Sequence, residues 1–123
     1  MITTSALPSA SVRGRLITLW ILSGFAGLLF IGVGGAKLAG APAMVDLFAK
    51  IGLGQWLRYF TGLLEVAAGI GLLVSRFAFY AAVLLAVVMA GAFIAHVTVL
   101  GTSPAGPVVL FVLTGIIAYL RKS

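Results

Sequence analysis

Charge is what this sequence has least of. Among 123 residues there are eight lysines and arginines and two acidic residues, so charged side chains make up 8% of the chain, against about 25% in an ordinary soluble domain. With hydrophobic residues at 63% and a mean hydropathy of +1.27, a soluble enzyme, a nucleic-acid-binding domain and a disordered tail are excluded together. Cysteine is absent, which excludes disulfides, thiol relays, thiolate zinc sites and cysteine-ligated iron–sulfur clusters. One histidine, His96, and two carboxylates, Asp46 and Glu65, are too few donors for a protein-only metal site, and none is expected. The net charge of +6 does not imply a nucleic-acid partner. Phosphate binding needs a continuous basic face, and the cations here are spaced between apolar runs.

What is present is apolar and comes in runs of membrane-crossing length. Residues 1–15, with Pro8 and no periodicity in the first part, read as a mobile cytoplasmic tail. Residues 16–36 then run without a charge, about 30 Å of helix at 1.5 Å per residue. A cleaved signal peptide is disfavoured. Its apolar stretch spans roughly 7–15 residues, and Lys37 stands between this longer run and the small residues Ala39-Gly40-Ala41. Further spans are expected at about 56–74, 77–97 and 104–120. Between the first two, Met44, Val45, Leu47, Phe48 and Ile51 fall at helical spacing after Pro42 and before Gly52, which predicts a short interfacial helix. The fold class is therefore all-α, a four-transmembrane-helix antiparallel bundle with that short helix between spans one and two, forming a single domain over 16–123. Trp56 and Tyr59 suit an aromatic belt. Lysine and arginine bias puts both termini in the cytoplasm of a cell membrane, with Arg13, Arg15, Arg76, Arg121 and Lys122 inside against Lys37, Lys50 and Arg58 outside.

Glu65 is the residue that this arrangement leaves without an ordinary explanation. It falls near the middle of its span, where a charge costs about 2.5–3.5 kcal/mol even on insertion scales. A partner, protonation or a polar cavity must offset that cost. Lys37 and His96 lie at the outer ends of two other spans, and a long lysine reaching inward is expected to pair with Glu65. His96 would join as a proton acceptor, giving a ligand-binding or proton-relay pocket open to the outside. Gln55, Trp56 and Arg58 are secondary candidates, Arg58 being expected to meet lipid headgroups. Gly24, Gly27, Gly62, Gly69, Ala82 and Ala86 are small residues expected to let helices approach closely. Gly32-Val33-Gly34-Gly35 is not followed by the Lys-Ser/Thr pair of a phosphate loop.

These stretches resemble the DoxX-like family of small four-helix membrane proteins. The resemblance is carried by Phe30-Ile31-Gly32-Val33-Gly34-Gly35-Ala36-Lys37-Leu38, Phe48-Ala49-Lys50-Ile51-Gly52-Leu53-Gly54-Gln55-Trp56, Gly62-Leu63-Leu64-Glu65-Val66 and Ala92-Phe93-Ile94-Ala95-His96. It implies a multi-pass membrane protein whose relatives include parts of quinone-linked oxidoreductase systems and, more distantly, assembly chaperones. It also implies that Lys37, Glu65 and His96 are the family's polar positions, without a catalytic role attached. The expected function is an accessory subunit of a membrane oxidoreductase system with a small-molecule or lipid pocket, and quinone is the cofactor the resemblance suggests. Two alternatives stand beside it: an assembly factor using glycine and alanine helix faces, and a small proton-coupled carrier centred on Glu65. The partners expected are the lipid bilayer, another membrane protein or redox subunit, and further copies of the chain.

Overall fold

The computed structural model describes residues 10–101 and 103–122. They form five α-helices and, among the described residues, no strand: α1 (Ala10–Ala39), α2 (Pro42–Ile51), α3 (Trp56–Leu72), α4 (Ala78–Ala95) and α5 (Ala105–Arg121). A 3₁₀ turn at Ser75–Phe77 joins α3 to α4, and a π-helical turn at His96–Leu100 extends α4 to Gly101. The expected helices are all present, with shifted ends. The first begins at Ala10 rather than at 16, so Arg13 and Arg15, expected in a tail, lie on its opening turns. Residues 1–9 of that expected tail lie outside the described residues.

Local chemistry explains the boundaries. α1 closes with paired bonds from Gly40 N–H to Lys37 O (3.3 Å) and from Ala41 N–H to Ala36 O (3.0 Å), around Gly40 at φ +77°. A glycine enters this left-handed turn without the Cβ clash other residues meet. Pro42 then opens α2, where a missing N–H costs nothing, and Gly52 at φ +80° ends it.

α3 lies antiparallel on α1 along two glycine pairs. A methyl group on Gly27 would sit 2.8 Å from Gly69 O, and one on Gly34 would sit 2.7 Å from Gly62 O. Only hydrogen on these Cα atoms permits such an approach. α4 packs on α5 and on α3, and the core is closed by the fully buried Phe30, Leu72, Leu85 and Ile117 with Ala26 and Ala82. Ala82 and, half-buried, Ala86 lie on the inward side of α4 as expected, whereas Gly24 faces open space and makes no close helix contact.

At the end of the molecule formed by α5's last turn, the Arg121 guanidinium donates to Ser75 Oγ (3.3 Å) and to the buried Ser23 Oγ (3.1 Å), and stacks 5.0 Å from the Trp20 ring. Arg15 donates to Leu120 O nearby (2.5 Å). The helix exteriors invert the soluble pattern. Ile21, Leu28, Val87 and Val109 are more than 60% exposed in mid-helix, an apolar surface that water does not tolerate over so large an area. Two stretches, Val12–Ala39 and Ser75–Val99, are long and apolar enough to cross a bilayer. α3 and α5 have 17 residues each, at the short end of the usual range of about 17–25.

Candidate functional site

Lys37 and Glu65 meet because of the glycine seam. The Cα of Gly62 carries no side chain, and Lys37 Cβ lies 3.0 Å from where one would begin. The lysine stem therefore runs along α3, and Glu65, three residues beyond Gly62, is about 4.5 Å further by helical rise. The ammonium ends 2.7 Å from Glu65 Oε1. Glu65 is fully buried and Lys37 is 9% exposed. Each charge offsets the desolvation of the other, an arrangement in which removing one partner is far more damaging than removing both.

The pair stands in the wall of a cavity of about 590 Å³. Met44, Leu47 and Phe48 of α2 line it on one side and Met89 of α4 and Leu110 of α5 on another, so its walls are overwhelmingly apolar. Leu53, Ile94 and Val99 lie at its margin and are more than half exposed. Glu65 Oε2 is buried and has no hydrogen-bond partner, an uncommon condition for an atom that only accepts. An apolar chamber with a single charged pair and one unsatisfied acceptor is suited to holding an amphiphilic molecule by its polar end.

His96 lines the same cavity, but its Nδ1 is 2.8 Å from Ala92 O in the preceding turn of its own helix. It is a wall residue, and the ion pair forms without it.

Arg58 departs from expectation. It is 5% exposed instead of reaching headgroups. Its Nε donates to Gln55 Oε1 (2.7 Å), its Nη1 donates to Lys37 O, and its cation lies 4.2 Å from the Tyr59 ring centroid. The physical cause is the end of α1, where the Lys37 carbonyl offers an acceptor beside α3. Gln55 in turn donates from Nε2 to Val45 O (3.1 Å), which fastens α2 to the start of α3. Trp56 is 61% exposed, donates to Leu53 O (2.7 Å) and stands outside the cavity. Two groups of residues were not singled out for these roles. Gly34 completes the seam, and its spacing of seven from Gly27 matches that of Gly62 from Gly69. Met44, Leu47 and Phe48 were placed on an interfacial face, and the same periodicity identifies them as one side of the cavity.

The apolar helix exteriors and the two membrane-length stretches fit a helical membrane protein, as does the family to which the chain belongs. The bilayer is its environment. The chain belongs to the DoxX-like family, whose model matches residues 21–118. No curated protein and no solved structure matches it.

Proposed function

We propose that α1, α3, α4 and α5 each cross a cell membrane as a four-helix bundle, with both termini cytoplasmic, and that the protein holds a lipophilic small molecule or lipid in the outer half of the bilayer. The observation that carries this reading is the apolar cavity of about 590 Å³ with the buried Lys37–Glu65 pair in its wall. On this reading α2 lies at the outer interface, and residues 16–123 act as one domain. The arrangement favours binding over turnover. Lys37 compensates the Glu65 carboxylate, and His96 is engaged with the Ala92 carbonyl. The role that follows is that of an accessory subunit presenting a lipophile to a redox partner.

The test is chemical analysis of what accompanies the protein. Organic extraction of the detergent-purified wild type, read by mass spectrometry, yields one lipophile enriched towards stoichiometry. In Leu47→Trp, where the larger ring fills the cavity, that lipophile is depleted while thermal unfolding stays cooperative. Recovery of the same bulk lipid mixture from both proteins refutes the reading.

A further inference from the structure

The unsatisfied oxygen of Glu65 carries information about the polar end of whatever fills the cavity. Ionised Glu65 offers only acceptors, and Oε2 makes no hydrogen bond although the residue is fully buried. The Lys37 ammonium carries three N–H groups, and its contact with Glu65 Oε1 uses one. The two vacancies are therefore of opposite kind and lie on either side of one salt bridge. A carboxylate or phosphate would confront Glu65, and an ammonium would confront Lys37. A ketone, ester or ether can accept from Lys37 but leaves Oε2 unanswered. A hydroxyl group does both at a single oxygen.

We infer that the site selects a neutral lipophile headed by a hydroxyl group, which donates to Glu65 Oε2 and accepts from the Lys37 ammonium while its apolar body lies against Met44, Leu47, Phe48 and Met89. The inference rests on the reading of the cavity as a binding site and specifies its ligand class. The apolar walls set the body of the ligand, and the pair sets its head. A free long-chain alcohol and the free hydroxyl of a diacylglycerol are the single-chain and two-chain forms of this chemistry.

The experiment compares alcohols with ethers that lack the donor. The full-length protein in dioleoylphosphatidylcholine nanodiscs is titrated with 1-dodecanol, 1-methoxyundecane or dodecanoate, and separately with 1,2-dioleoylglycerol or its 3-O-methyl ether. Stabilisation of thermal unfolding is the readout, since a ligand of the folded state raises the midpoint by mass action. The expected result is that an alcohol binds about tenfold or more tightly than its ether, the penalty for leaving a buried acceptor unpaired. Whichever alcohol shows this preference identifies the form. In the double variant Lys37→Met/Glu65→Leu, which keeps the cavity and removes the pair, the preference disappears. Equal binding of alcohol and ether overturns the inference, with Oε2 served by water, and leaves the binding function standing. Tighter binding of dodecanoate also overturns it. Absence of stabilisation by all five compounds overturns the inference; the binding function falls with it only if extraction of the wild type and Leu47→Trp also yields the same bulk lipid mixture.

Discussion

The Arg58 guanidinium donates to the main-chain carbonyl of Lys37, so the residue that neutralises Glu65 with its side chain is itself held by its backbone. The bond joins the last turn of α1 to the first turn of α3, and the same guanidinium grips Gln55. One planar fork thus serves two acceptors in fixed directions.

Arg58→Lys keeps the charge and loses the fork. We expect a destabilisation of about 1–3 kcal/mol, the loss of charge-assisted hydrogen bonds to the Lys37 carbonyl and Gln55 Oε1. Faster amide exchange at Gly40 and Ala41 accompanies it, because their turn surrounds the released carbonyl. Unchanged exchange at these two amides contradicts the role assigned to Arg58.

Lys37→Met or Glu65→Leu alone leaves a bare charge in an apolar wall and is expected to destabilise the fold by about 3–5 kcal/mol. The double variant recovers most of that loss, because no unpaired charge remains. Reversible unfolding in mixed micelles measures the cycle. Additive losses in the double variant would mean that the two residues are not coupled.

The glycines separate into two classes that substitution distinguishes. Gly34→Ala and Gly62→Ala drive a methyl group against opposing backbone, and each is expected to cost about 1–3 kcal/mol through overpacking. Gly24→Ala and Gly32→Ala meet nothing within 4 Å, and their higher helix propensity makes them neutral or mildly stabilising. The comparison needs only unfolding midpoints, and equal effects in both classes would remove the seam from the account of the fold.

The natural absence of cysteine allows orientation to be read without background labelling. With both termini cytoplasmic, Ser103→Cys reacts with a membrane-impermeant maleimide in intact cells, and Ser75→Cys reacts only after permeabilisation. The reversed pattern inverts the orientation, and labelling of both from one side contradicts the number of crossings.

The sequence made the helices legible because their apolar runs are long and their breaks are chemically sharp: Gly40-Ala41-Pro42, Gly52 and Ser75-Arg76. It also marked Glu65, since a carboxylate in the middle of an apolar run has few innocent explanations, and it pointed to Lys37 as the cation able to reach it. What it did not reveal depends on neighbours distant in the chain. The burial of Arg58 follows from an acceptor at the end of α1, and no pattern within α3 announces that carbonyl. His96 was grouped with the pair by its position at a helix end, but the 2.8 Å contact with Ala92 O is a rotamer choice that spacing does not encode. The periodicity of α2 marks one apolar face, and that this face lines a cavity shared with α1, α3, α4 and α5 depends on contacts distant in the chain.

The twin glycine intervals on α1 and α3 act as a vernier. Gly27 and Gly34 are the same distance apart as Gly62 and Gly69, so both pairs coincide in the observed register and a slip of one residue brings Cβ atoms into collision. The height at which the Lys37 ammonium meets Glu65 is therefore fixed in part at Gly27 and Gly69, well away from the cavity and in contact with none of its contents. A bulkier residue there would be felt as a misaligned salt bridge, and the chemistry of the pocket would change through a substitution that never touches it.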